Sequence, residues 1–188
     1  MTTHPPLTRR RLLATATGAA SVGLAGCVGG LLTDDGGSGE LGDPGHSVEV
    51  EVMTIPRPQL DPGIVHVEVG GTVEWVGRGQ RNSLVSYHPD TYGERRIPED
   101  DEPFKSGYLR DGDRFERTFG VEGIHDYVDP TVFCSTHEAV GVVGRVVVGW
   151  PELEDEPAMQ VDPEELPSRA ATVTEQFNEQ CRDVLTNP

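Results

Sequence analysis

An all-β sandwich is the fold this sequence predicts, on three observations. Apolar residues alternate with period two in run after run between residues 46 and 150, Gly and Asp turns punctuate the runs, and no helical periodicity occurs within those limits. The first run sets Val48, Val50, Val52 and Thr54 on one side and Glu49, Glu51 and Met53 on the other, the pattern of a half-buried strand. Ile64, Val65, Val67 and Val69 lead to a predicted Gly70-Gly71 turn, after which Val73 and Trp75 alternate with Thr72 and Glu74. Further strands are expected over residues 83–87, 114–119 and 142–148. Residues 87–112 break the alternation and read as a long loop crossing between sheets. Its charges, Arg95-Arg96 and Glu99-Asp100-Asp101-Glu102, are expected to form a solvated face. After Trp150-Pro151 an acidic stretch reads as a surface linker. Ser168 is expected to N-cap a helix whose stripe is Ala170, Val173, Phe177, Cys181 and Val184.

The flanks carry an address. Arg9 and Arg10 form a twin arginine ahead of a short, small-residue apolar stretch, too weak for a comfortable transmembrane helix, and Leu24-Ala25-Gly26-Cys27 follows in the layout of a lipobox. Residues 1–26 are therefore expected to be a Tat-type lipoprotein signal peptide, with Cys27 lipidated and holding the protein on the outer face of the cell membrane. Residues 27–45, rich in Gly, Ser and Asp, read as a flexible tether. Residues 46–150 are the folded domain, and 151–188 the linker and helix. At 188 residues the chain has material for one core. Its net charge of -17 and its single lysine, Lys105, among 15 basic residues suit a protein kept soluble in high salt, as in an extreme halophile. The same balance excludes nucleic acid, whose phosphates demand clustered Lys and Arg.

Phe133-Cys134-Ser135-Thr136-His137, followed by Glu138-Ala139-Val140-Gly141-Val142 and a valine-rich run, is where chemistry concentrates. A thiolate and an imidazole on one tight turn between strands can bind a single metal together. With Gly71-Thr72-Val73-Glu74-Trp75-Val76, Tyr87-His88-Pro89 and residues 115–123, this stretch resembles the blue copper proteins (cupredoxins), in their plastocyanin- and halocyanin-like branch, over residues 46–149. The resemblance implies a cupredoxin-like Greek-key β-sandwich holding one copper of type 1 or altered type 1, with Cys134 and His137 as ligands. It also implies single-electron transfer to a redox protein or a membrane electron-transfer complex, without substrate chemistry, and His137 near the surface as the electron path.

Two positions depart from the family pattern. Val142 stands in the axial Met slot, and Asn82 falls in the slot of the first His, where an amide is a poor ligand for soft copper. His88, through a register shift or fold-back, and His125, through a rebuilt turn, are the candidates for a third ligand. His46 and His66 read as a strand-edge residue and a surface strand residue, and His4 belongs to the signal. The departures keep a second reading open: a cupredoxin-fold module with a degenerate copper site, serving copper delivery, complex assembly or binding. A Cys134–Cys181 disulfide, which would abolish the thiolate, is a further alternative, and a zinc site a weaker one.

Overall fold

The computed structural model describes residues 36–132, 136–160 and 165–186. Among them lie β1 (Gly45–Met53), β2 (Gln59–Asp61), β3 (Ile64–Arg78), β4 (Asn82–Ser86), β5 (Lys105–Leu109), β6 (Arg114–Thr118), β7 (Gly123–Val128), β8 (Val143–Val148) and one long helix, α1 (Ser168–Leu185). Strand pairing runs β2-β1-β3-β8-β7-β4-β5, with β6 on β3. The sheet closes over a core because β3 changes partners midway. Residues 64–67 run parallel to β8, and residues 72–76 pair antiparallel with β6 and parallel with β1. The Gly70-Gly71 pair is therefore a bend inside one strand, not a turn between two. Gly70, at φ 89°, adopts the left-handed conformation that the bend uses.

Trp75 centres the core, fully buried, with Phe104, Phe115 and Tyr127 ring centroids 5.5, 5.5 and 5.3 Å away. Burying a side chain of that size stabilises by about 4–6 kcal/mol. The β1 alternation holds as predicted, with Val50 and Val52 buried and Glu49 exposed.

Strands β2, β5 and β7 are absent from the sequence prediction. For β7 the reason is burial on both faces: every residue of β7 and β8 is buried, because α1 covers the side opposite the sandwich core. A strand covered twice has no polar face to alternate with. The helix buries Ala170, Phe177 and Cys181 of its predicted stripe, leaves Val173 and Val184 half-buried, buries Leu185 outside that stripe, and docks on its own domain beside Ile124 and Val147. Ser168 is not its N-cap. Pro167 occupies that position in an extended conformation and accepts the Ala171 N–H through its carbonyl at 2.9 Å.

Three charged or flexible segments are more tightly built than their composition suggests. Within residues 87–112, Glu99, Asp100 and Glu102 are exposed as expected, but Arg96 is buried against Asp126, and Asp101 pairs with Arg117 at 2.7 Å and with His125 at 3.0 Å. In the acidic linker, Glu156 turns inward and its Oε2 accepts the Ile124 N–H at 2.9 Å. Burial raises its carboxyl above the ordinary range, against the hydrogen bond from Ile124. The stretch expected to be tether as far as residue 45 is a folded turn from residue 37 onward: Gly37 and Gly39 donate to the carbonyls of Pro44 and Asp43, both at 2.9 Å.

That turn is clasped by His66, which is fully buried and not the surface residue expected. Its Nδ1 accepts the Gly42 N–H at 3.0 Å, so the proton resides on Nε2, which donates to the Gly149 carbonyl at 2.6 Å. Burial lowers the His66 pKa below the ordinary 6.5, although the Gly149 hydrogen bond and Asp43 oppose it. A depressed folded pKa means that the unfolded chain binds the proton more readily. The stabilisation is complete above pH 6.5 and is lost as the pH falls from there toward the lowered folded value. Thermal melts are expected to show a midpoint that drops between pH 6.5 and 5 by more in the wild type than in His66→Gln. Equal slopes would remove His66 as the cause.

Candidate metal-site region

The site region is built at one end of β7 and β8, where the two strands finish together with Val128 paired to Val143. Residues 129–142 cross from one to the other. Asp129, the first residue beyond β7, is completely buried. Its Oδ1 accepts the backbone N–H groups of Thr131 at 2.8 Å and Ser83 at 3.3 Å, and its Oδ2 lies 2.7 Å from His137 Nδ1. One carboxylate thus ties the start of β4, its own turn and the imidazole together. Backbone bonds fix the imidazole's position as well: the His137 N–H donates to Thr131 O at 3.0 Å, and the His137 carbonyl accepts from Val140 at 3.1 Å and Val142 at 3.0 Å. His137 is 2% exposed, so it does not lie near the surface as expected.

Glu138 follows in a single 3-10 turn, Glu138–Val140. Its two carboxylate oxygens accept from Tyr87 Oη at 2.7 Å and Tyr92 Oη at 2.6 Å. Burial and the neighbouring carboxylate push the Tyr87 hydroxyl pKa far up. Burial, with the hydrogen bond to Glu138, pushes Tyr92 up to about 12. Both phenols therefore remain donors, and the turn after His137 is clamped to the 87–92 loop. Neither Asp129 nor Glu138 is a candidate on sequence grounds. Their only signal there is an acidic residue close to the loop of a candidate ligand histidine, which is common in a chain with 32 acidic residues.

The remaining candidates disperse. Asn82, fully buried at the start of β4, donates Nδ2–H to Val52 O at 3.1 Å and accepts from Thr54 Oγ1 at 3.0 Å, so its amide joins β4 to the end of β1. Its carbonyl oxygen and one amide N–H are committed to the protein. Val142 is buried and supplies no donor atom. His88 is held in its own loop, with Nδ1 3.1 Å from the Asp90 N–H and Nε2 2.6 Å from Arg95 Nη2. His125 sits inside β7 with Nε2 3.1 Å from Val121 O and Nδ1 3.0 Å from Asp101 Oδ2. Four residues of strand separate it from Asp129, on the order of 13 Å. The His88 and His125 rings thus both have protein partners within the described residues. His46 is exposed beside Glu68, as expected. Cys134 lies outside the described residues, as do His4, Arg9, Arg10 and Cys27. Cys181 is a free, buried thiol, which removes the Cys134–Cys181 disulfide, and burial raises its pKa despite the nearby Arg145.

A type 1 copper centre needs two imidazole nitrogens and a thiolate around one point. Among the described residues no three His, Cys, Asp or Glu side chains converge on such a point, and every described histidine other than His137 is engaged elsewhere. The thiolate that such a centre requires, Cys134, lies outside the described residues.

Comparison with known proteins sets this geometry in context. A halocyanin from Natronomonas pharaonis is 31% identical over 171 residues, covering 74% of this chain and 96% of that protein. Two solved structures share the fold: a Sinorhizobium pseudoazurin (TM-score 0.56, 19% identity, 73% of this chain and 98% of that one) and the pseudoazurin of Methylobacterium extorquens AM1 (TM-score 0.57, 17% identity, 71% and 98%). No protein-family model matches the chain.

Proposed function

This chain belongs to the halocyanin family of blue copper proteins, and from that premise we propose that it is a membrane-tethered cupredoxin-fold module with a degenerate copper site, acting as a binding or complex-assembly module on the outer face of the membrane. The observation that carries this reading is Asn82, which stands in the slot of the family's first His with its amide donating to Val52 O and accepting from Thr54 Oγ1. Apolar Val142, in the axial Met slot, supports it. The twin arginine Arg9-Arg10 and the lipobox at Cys27 support export and anchoring. Around the site end Val132, Val140 and Ile55 are exposed by 63, 46 and 62%, apolar surface suited to a protein partner. Such a module performs no substrate chemistry.

A second reading, single-electron transfer through one copper to a redox protein or membrane complex, is favoured by the Cys134-x-x-His137 spacing together with family membership. Titration of the purified protein with Cu(II) separates the two. The expected result is a colourless protein with substoichiometric copper. An intense visible thiolate-to-copper band at one equivalent in the wild type would establish the electron-carrier reading and sink the first.

A further inference from the structure

The end of the sandwich remote from His137 carries its own exposed apolar pair. Strand β8 leaves the site region at Val143 and finishes at Val148, five steps and roughly 17 Å away. There it delivers Gly149 and Trp150. Trp150 is 43% exposed and Val69, at the bend of β3, is 53% exposed. Val69 lies against Gly149, the residue before Trp150: a Cβ placed on Gly149 would lie 3.0 Å from Val69 Cγ2. The Trp150 ring is braced by the His66 ring, edge-on at 5.0 Å, and its backbone N–H donates to Glu122 Oε1 at 2.8 Å. The same His66 clasps the turn at Gly42 through which the N-terminal chain enters the domain.

We infer that this end rests on the lipid surface, with Trp150 and Val69 seated at the membrane interface and the His137 end directed away from it. The inference rests on the Cys27 anchor proposed above. The nine steps from Cys27 to Gly36 span at most on the order of 30 Å, so the end at which the chain enters is held close to the bilayer. Indole is the side chain best suited to that boundary, with an apolar ring and a polar N–H. Glu68 and Glu122 flank the pair and are exposed. Their repulsion from anionic headgroups is strong in dilute buffer and is screened within about 3 Å at 1 M salt. Contact therefore increases with salt, the reverse of what a basic membrane-binding patch gives.

The full-length lipidated protein tests this on phosphatidylcholine–phosphatidylglycerol vesicles, with and without bromine near the headgroup end of the acyl chains. Trp75 is fully buried, so bromine contact reports Trp150. The expected result is flotation with the vesicles, loss of indole emission on brominated lipid that deepens as salt is raised, and no such loss in Trp150→Phe. Flotation with equal emission on both lipids overturns the orientation and leaves the anchor standing. Failure to float overturns the anchor, and the orientation with it.

Discussion

Replacing Asp126 with asparagine is expected to cost the domain about 3–5 kcal/mol of unfolding free energy, the range for removing one partner of a buried ion pair. The Asp126 carboxylate is shared by two buried guanidinium groups. Arg145 Nε and Nη2 donate to its Oδ1 and Oδ2 at 2.7 and 3.0 Å, and Arg96 Nε donates to Oδ2 at 3.2 Å. The Ala158 carbonyl accepts from both arginines, at 2.9 and 3.3 Å. Burial alone would lower the Arg145 pKa, but the Asp126 carboxylate holds it above the ordinary value, so Arg145 stays charged inside the protein. Neutralising the carboxylate leaves two cations in a site water does not reach. The loss extends to the helix, because the Arg145 guanidinium lies over the Phe177 ring at 5.7 Å and 3.6 Å from Cys181 Sγ. Urea unfolding should show the lower midpoint, with α1 becoming protease-sensitive first. High salt should not rescue the variant, since a buried pair is screened little. A change below about 0.5 kcal/mol, the size of an ordinary surface substitution, would mean that the arginines reach solvent.

Asp129→Leu is expected to have the second largest effect, a loss of about 3 kcal/mol, because it strands three donors at once: the N–H groups of Ser83 and Thr131 and the His137 imidazole. Asp129→Asn keeps an oxygen for the two N–H groups and should lose only about 1 kcal/mol. The pair of variants separates a positioning carboxylate from a merely buried one. On the degenerate-site reading proposed above, neither should create a visible copper band. Equal unfolding midpoints for Asp129→Leu and wild type would remove the carboxylate as the element that closes the site.

The outcome for the histidines shows where reading the sequence stops. The Cys-x-x-His spacing points to the crossing between β7 and β8, and Asn82 and Val142 stand out as departures from the family pattern in the sequence alone. What happens to them does not. Asn82 bonds across to β1, 28 and 30 residues away, and His137 finds Asp129 only because the ends of β7 and β8 come together. His66, the most ordinary of the six by its alternation, becomes a buried clasp because Gly149 lies against it.

Local periodicity determined the alternating strands, the helix stripe and the loop that carries Cys134 and His137, since each depends on residues a few positions apart. Only the tertiary structure decided which buried polar group meets which: Asp129 with His137, Asp126 with two arginines, His66 with Gly42. A buried donor or acceptor must find a partner, and that partner is set by which strand packs alongside and in what register, information that no short window of sequence contains.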